Sequence, residues 1–273
     1  MSDTTVLLDG LVMGESPRWH DGRLWLCDWG AQEIIVMDPD GTSEVVAKVA
    51  SLPFCIDWLP DGRLVVVSAR EGKLLILEGG ALVTYADLGR PGWNDIAVDS
   101  RGNVFVNHIG FDFPGGEFRP GTVSVVTPGG DLRQVAEGVA FPNGMAVTPD
   151  DSRLIVAESY GHQLSAFDIA EDGSLSHQRV WAKLDDTAAP DGICLDAENA
   201  VWYADVPNQQ CVRVAEGGRV LDTVSLDRGA FACALGDGIL YVTAAKWPDA
   251  MTPGSRTGQV QGARVPVAAD GRA

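Results

Sequence analysis

Short apolar segments alternate with turn residues along the whole chain, and none has the length or periodicity of a long amphipathic helix. The repeated unit is an apolar strand, a turn rich in Asp and Gly, and a second apolar strand that begins with Leu, Val or Ile. Asp and Gly tolerate the positive φ angles that tight hairpin turns require. Six such turns occur, at residues 20–23, 60–63, 100–103, 149–153, 197–200 and 236–239, and the strands after them are spaced by 40, 40, 50, 47 and 39 residues.

Each repeat has room for four short strands, which in the first copy are expected near residues 16–19, 24–28, 34–38 and 44–49. Four antiparallel strands in roughly 40–50 residues are typical of a propeller blade. The sixth repeat is short, because its third strand, near 259–265, leaves too few residues for an outer strand, whereas residues 5–8 resemble the fourth strands. The sequence therefore predicts an all-β, six-bladed β-propeller in a single domain, residues 1–273, with the ring closed by the N-terminal strand.

The composition of the chain excludes some classes of function. The chain has 20 Lys and Arg against 38 Asp and Glu, a net charge of −18, which argues against a nucleic-acid partner and fits either a solvated acidic surface or a protein that uses a cation. No apolar run approaches the roughly 18 residues of a membrane span. The first residues lack the basic start of a secretory signal, so we expect a cytoplasmic protein. Five cysteines lie apart, without a C-x-x-C pair, and are predicted to be buried free thiols.

Oxygen donors recur at one position of the repeat, the start of each predicted innermost strand. In a propeller these starts surround one central channel. The aligned residues are Glu15 (after Gly14), Phe54, Asn94, Asn143, Asp191 and Ala230 with Phe231. Asn-Gly, Asp-Gly and Asn-Asp pairs also form ordinary turns, so each donor alone would carry little weight. Their coincidence in phase favours a metal site, and two carboxylates with two amide oxygens suit Ca²⁺ or Mg²⁺.

Four segments, residues 14–19, 93–99, 141–146 and 190–196, together resemble the senescence-marker-protein/gluconolactonase/luciferin-regenerating-enzyme family, in order and across nearly the whole chain. The resemblance implies a six-bladed propeller with one divalent metal in its channel, preferably Ca²⁺, with Mg²⁺, Mn²⁺ and Zn²⁺ left open. It implies that Glu15, Asn143 and Asp191 bind the metal, and that Asn94 is a fourth ligand or holds the substrate. Members of the family hydrolyse lactones, and related propellers hydrolyse organophosphate esters.

One departure from the family concerns the substrate. Sugar-lactone hydrolases of this family carry an Arg two residues before the Asn that matches Asn94, whereas this chain has Gly92 there and Arg90 out of register. A sugar-acid lactone is therefore put in doubt, and the substrate is expected to be a small lactone or ester that is apolar or sugar-derived. Two long loops, 108–121 and 246–258, are rich in Pro and Gly and are predicted to border the pocket.

The hypothesis for catalysis is a metal-dependent lactone or carboxylic ester hydrolase. The metal would polarise the carbonyl, and Asp191 is the preferred general base towards water, by family resemblance. Asn94 would hold the substrate, and His108 is either a second acid/base group or a residue that anchors its loop.

Two alternatives stay open, a phosphotriesterase and a non-enzymatic calcium-binding propeller. The expected partner is a small molecule, and the protein is expected to be a monomer or a weak homo-oligomer.

Overall fold

Tight turns with positive φ angles separate the paired strands, as the Asp and Gly residues predict. In the first repeat Asp21 and Gly22 have φ angles of 50° and 73°, and in the last Asp237 and Gly238 have 50° and 72°. The computed structural model describes residues 4–252 and 254–271. Residues 1–3, where a secretory signal would have its basic start, and residue 253 of the second predicted loop lie outside it. Within the described chain no helix is long and apolar enough to cross a membrane.

The first three blades each contain four antiparallel strands, which follow one another from the innermost outwards. Blade one has β2 (Gly14–His20), β3 (Arg23–Asp28), β4 (Glu33–Met37) and β5 (Ser43–Lys48). Blade two has β6 (Phe54–Trp58), β7 (Leu64–Ser68), β8 (Lys73–Glu78) and β9 (Ala81–Asp87). Blade three has β10 (Trp93–Val98), β11 (Val104–His108), β12 (Gly121–Val126) and β13 (Leu132–Val139).

The next two blades repeat this order. Blade four has β14 (Pro142–Val147), β15 (Arg153–Glu158), β16 (Gln163–Ile169) and β17 (Leu175–Lys183). Blade five has β18 (Pro190–Leu195), β19 (Val201–Asp205), β20 (Gln210–Val214) and β21 (Val220–Ser225). The six-bladed, all-β prediction is confirmed, and the loops predicted at 108–121 and 246–258 connect second strands to third strands.

The sixth blade is built from both ends of the chain. It contains β22 (Gly229–Gly236), β23 (Ile239–Ala245) and β24 (Gly258–Arg264), with a short 3₁₀ turn at Asp249–Met251 before β24. Its outermost strand is β1 (Thr5–Leu11), which pairs antiparallel with β24, Thr5 facing Gly262. The predicted closure of the ring by the N-terminal strand is confirmed, and it covers the edge that β24 would otherwise expose.

Apolar side chains pack between neighbouring blades. Each of the six blade interfaces has its own buried cluster, so the core forms a ring around the channel. Between blades one and two, for example, Ile34, Phe54 and Val66 are completely buried. Full burial of a side chain of this size contributes about 1.5–3 kcal/mol relative to exposure. The five cysteines are free, four of them buried and Cys194 half-buried.

Candidate metal and active site

The innermost strands that carry the oxygen donors are irregular at the donor level. In blades one, three, four and five, the pairing of the innermost strand with its neighbour shifts register; the irregular stretches begin at Glu15, Trp93, Pro142 and Pro190. In blade two, where the aligned residue is the apolar Phe54, the pairing is regular, whereas blade six shifts register between Ala230 and Ala232 although its aligned residues are also apolar. A bulge redirects a side chain away from its normal alternation. The donors thus lie where the strands bend at the start of the channel.

Two glycines allow these strands to approach closely. A Cβ atom on Gly144 would lie 2.6 Å from the backbone oxygen of Asp191, and one on Gly192 would lie 2.3 Å from the Cβ of Ala232. Neither glycine has a positive φ angle. The pairs Asn143-Gly144 and Asp191-Gly192 therefore lie within strands and are not turns, which removes the alternative interpretation of these residues.

Glu15 and Asp191 form the acidic part of the site. Glu15 is 5% exposed and Asp191 is half-buried. Burial, and then the negative charge of Asp191, raise the pKa of Glu15 well above its ordinary value. Burial, followed by the charge of Asp95, also raises the pKa of Asp191, against a hydrogen bond with Asn143. In the described chain neither carboxylate forms an ion pair with Lys, Arg or His.

Asn94 and Asn143 link these carboxylates into one cluster. The Asn94 Nδ2 donates to the Asn143 Oδ1 at 3.4 Å, and the Asn143 Nδ2 lies 3.3 Å from the Ser159 Oγ, to which it donates. The Ser159 hydroxyl in turn donates to the Pro190 carbonyl at 2.8 Å, immediately before Asp191. Glu15, Asn94 and Asn143 line a small cavity together with Trp29. The structure therefore brings all four predicted donors to one end of the channel.

A buried ion pair lies behind the donors and was not predicted from the sequence. Asp95, 7% exposed, lies 3.4 Å from the Arg18 guanidinium and accepts the Met145 N–H at 2.9 Å. Asp95 lines the same small cavity as the donors, and these two groups hold its carboxylate in place. An Asn-Asp pair such as Asn94-Asp95 is common in ordinary turns. Only the position of Asn94 in the repeat, aligned with the other oxygen donors, indicated a site.

The donor set fits a divalent cation. The Arg18 guanidinium faces two other carboxylates, Asp95 and Asp57, so the negative charges of Glu15 and Asp191 stay uncompensated in a largely buried place when these two residues are ionised. A hard dication with carboxylate and amide ligands would neutralise them. Among the described residues no group of three or more His, Cys, Asp or Glu side chains is arranged to hold a metal. A metal at this end of the channel therefore needs the amide oxygens of Asn94 and Asn143 as well.

Acidic residues at the ends of second strands hold the backbone that enters the donor strands. Asp28 accepts the N–H groups of Val12 and Met13. The carboxylates of Glu158 and Asp205 accept the N–H groups of Ala140 and Ala189, respectively. The hydrogen bonds of these three acids were not predicted from the sequence, because their partners lie 15 to 18 residues away. They position the start of each donor strand.

In blade three, the second strand β11 ends with His108 where blades one, four and five have these acidic residues. Its Nδ1 accepts the Gly110 N–H at 3.0 Å, so its Nε2 carries the proton and donates to the Pro91 carbonyl, also at 3.0 Å. Burial and the nearby positive charge of Arg90 lower the pKa of His108. Both ring nitrogens are thus bound to backbone, as expected of a loop anchor; the predicted catalytic role of His108 stays a prediction.

The same imidazole explains the missing side chain at position 92. Gly92 has a φ angle of +96°, and a Cβ atom built on it would lie 2.6 Å from the His108 Nε2. A side chain at this position would meet both backbone strain and the histidine ring. The presence of Gly92 in place of Arg is therefore part of how the loop is held.

Comparison with known proteins decides the family. Residues 13–246 match the family model described as the SMP-30/Gluconolactonase/LRE-like region. The chain belongs to this family. The resemblance predicted from the four segments is confirmed, and so, at the level of the family, is a lactonase or ester hydrolase of the gluconolactonase-like type.

Individual relatives of this SMP-30/gluconolactonase/LRE-like chain are distant. Regucalcin from Xenopus laevis is 26% identical over 256 residues, 88% of this chain and 85% of that protein. Diisopropyl-fluorophosphatase from Loligo vulgaris is 30% identical over 164 residues, 52% of this chain and 51% of that protein. A luciferin-regenerating enzyme has the same fold, with a TM-score of 0.83, 21% identity, and coverage of 98% of this chain and 97% of its own.

Proposed function

We propose that this protein is a metal-dependent hydrolase that opens the ester bond of a small lactone. The observation that carries the proposal is the convergence of Glu15, Asn94, Asn143 and Asp191, from four blades, at one end of the channel of a gluconolactonase-family chain. The bulges in the four donor strands and the close strand contacts support it, because a bulge redirects a side chain away from its normal alternation.

Calcium is the proposed metal, and Glu15, Asn143, Asp191 and Asn94 would hold it. Carboxylate and amide oxygens are the donors that Ca²⁺ prefers, and a calcium-binding regucalcin shares the fold. A bound cation would supply Lewis-acid polarisation of the lactone carbonyl. Relatives named regucalcin support the same assignment.

Asp191 is the proposed general base. Its carboxylate would take a proton from the attacking water, and would then return it to the ring oxygen as the C–O bond breaks, releasing a hydroxy acid. The hydrogen bond from Asn143 favours the ionised form that this role needs. Asn94, whose amide already contacts Asn143, would orient the substrate carbonyl.

A phosphotriesterase is the second candidate. The identity of 30% with the Loligo vulgaris diisopropyl-fluorophosphatase over about half of the chain favours it. The same donors would serve a P=O group as well as a carbonyl, so the two activities are separated by assay. A cytoplasmic location and a monomeric or weakly associated state also stay predictions.

A lactone panel with a pH indicator tests the proposal. Acid release that a chelator abolishes and calcium restores is expected for the native chain, with Asp191→Ala inactive and poor in bound metal. Fluoride release from a fluorophosphonate without lactone turnover would favour the phosphotriesterase. If calcium raises Tm but no ester of either class is hydrolysed, the protein is a calcium-binding propeller.

A further inference from the structure

Five aromatic rings form one continuous group beside the donors, and together they are called the aromatic cluster. Its members come from the 109–120 loop and from blade four: Phe111, Phe113, Phe118, Phe141 and Tyr160. The Phe141 ring lies 4.9 Å from Tyr160, 5.1 Å from Phe113 and 5.6 Å from Phe111, centroid to centroid. The Phe118 ring lies 5.6 Å from both Phe111 and Tyr160. The contacts are edge-on, tilted or stacked, as favourable aromatic pairs are.

Much of this cluster faces solvent. Phe113, Phe118 and Tyr160 are 50%, 45% and 48% exposed, whereas Phe141 beneath them is only 8% exposed. Exposed apolar patches mark contacts with a ligand, a membrane or another protein. The three exposed rings therefore form a candidate binding surface.

The cluster is joined to the donor site on two sides. Phe141 is separated from Asn143 by a single proline. Tyr160 directly follows Ser159, whose hydroxyl accepts from the Asn143 amide and donates to the backbone just before Asp191. The Ser159 N–H also donates to the Phe141 carbonyl at 3.1 Å, so the same two backbone segments carry rings of the cluster and groups of the donor site. This shared backbone favours the substrate as the occupant.

Two aromatic rings lie beside Gly92, with the Arg90 guanidinium 5.6 Å from the centre of the Trp93 ring. Gly92 offers no side chain, and the His108 imidazole beside it is tied to backbone at both nitrogens and packs edge-on against Trp93, at 5.4 Å. Burial and Arg90 lower the pKa of His108, so this ring stays neutral near neutral pH. These ring faces can accommodate an uncharged substituent, and the charged side chains nearby in the chain are exposed to solvent: Arg90, Asp112, Glu117 and Arg119.

We propose that the aromatic cluster binds an apolar substituent, alkyl or aryl, on the lactone that this enzyme hydrolyses. The inference rests on the proposed function for the identity of the reacting group. It makes Phe113, Phe118 and Tyr160 specificity residues, with Phe141 supporting them from below.

Lactams test the inference without hydrolysis, because they keep the ring carbonyl and resist ring opening. Titration calorimetry on the full chain with calcium would compare 3,4-dihydro-2-quinolone, which carries a fused benzene ring, with 2-piperidone, which does not. We expect the aryl lactam to bind at least about tenfold more tightly. Phe118→Ala and Tyr160→Ala should reduce that preference several-fold while leaving 2-piperidone unchanged. Val220→Ala, which shortens an equally exposed side chain on an outer strand, is the matched control.

Equal or undetectable affinity for the two lactams overturns the inference, as does a preference that both aromatic variants retain with unchanged Tm. Hydrolysis of dihydrocoumarin and δ-valerolactone separates this result from the proposed function. If neither lactone is hydrolysed but the lactam preference holds, the hydrolase proposal fails and the apolar site stands. If both are hydrolysed with equal kcat/KM and the lactams bind equally, the hydrolase stands and the apolar site fails.

Discussion

Replacing Asp191 by Asn should have opposite effects with and without calcium. In the metal-free protein the negative charge of Asp191 raises the pKa of the buried Glu15, which means that the two carboxylates repel each other. Asp191→Asn removes this repulsion and should raise the Tm measured in chelator at neutral pH. With calcium, the same change removes one of only two carboxylates in the predicted ligand set and should weaken binding.

The size of the calcium effect follows from linkage. A ligand at 100 times its Kd stabilises the folded state by about 2.7 kcal/mol. A chain of 273 residues unfolds with an entropy of about 570 cal/mol/K, taking roughly 2.1 cal/mol/K per residue, so the native protein should gain about 5 °C in Tm. If the variant binds about 100-fold more weakly, the same calcium concentration gives only about 0.4 kcal/mol, or less than about 1 °C.

Differential scanning fluorimetry over a calcium series, with a chelator baseline, measures both effects. Asp57→Asn is the matched control, because Asp57 is also a carboxylate on an innermost strand whose pKa burial raises, but it lines the cavity at the other end of the channel. The control should keep the full calcium shift. A full shift in Asp191→Asn, or its loss in the control, would refute the assignment of the metal site.

Three further predictions concern the residues that hold the site. Gly92→Ala should lower the free energy of unfolding by about 1–2 kcal/mol from backbone strain alone, and by more when the His108 ring is present. Chemical denaturation of Gly92→Ala with and without His108→Ala measures the coupling between the two positions, and additive effects of the two substitutions would contradict it. His108→Asn should raise KM for the substrate with little change in kcat, because the ring anchors a loop; a large fall in kcat at constant KM would instead establish a catalytic role. The pKa of His108 is lowered in the folded state, so the contribution of His108 to stability is complete above the pKa of about 6.5 in the unfolded state and is lost as pH falls below that pKa. The Tm difference between the native and His108→Asn proteins should therefore shrink from pH 7.5 to pH 5. Asp205→Ala should cost about 1–3 kcal/mol, since it removes the acceptor of the Ala189 N–H and one of the acceptors of the Asn208 amide, and it should weaken calcium binding. Unchanged Tm and Kd would exclude a positioning role.

The architecture could be predicted because its signals are local and repeated. Turns with Asp, Asn or Gly recur in every repeat. The position of a residue within its repeat therefore predicts its level along the channel, and the number of the repeat predicts its place around the axis. That is why Glu15 and Asp191 could be matched although 175 residues of chain separate them. The same reasoning identified residues 5–8 as the missing outer strand, now β1.

Features that depend on contacts between blades could not be predicted in this way. The Arg18–Asp95 pair joins blade one to blade three, and no periodicity relates the two residues. Gly144 is needed because the backbone of blade five lies against it, and this contact is not evident from the sequence. The loop containing Phe111 could be recognised as long and aromatic, but its packing on Phe141 and Tyr160 is set by a different blade.

The innermost strand of blade six lies between the two blades that carry the acidic donors. Glu15 belongs to blade one and Asp191 to blade five, and β22 packs against both β2 and β18, so blade six sets the separation of the two carboxylates in the closed ring. Joining β1 to β24 closes a loop of about 250 residues, at an entropic cost of roughly 5 kcal/mol. A nascent chain cannot assemble both carboxylates until its distal strands have emerged. Calcium affinity should therefore report the fraction of closed rings, and a cation bound to both Glu15 and Asp191 would stabilise the closed ring.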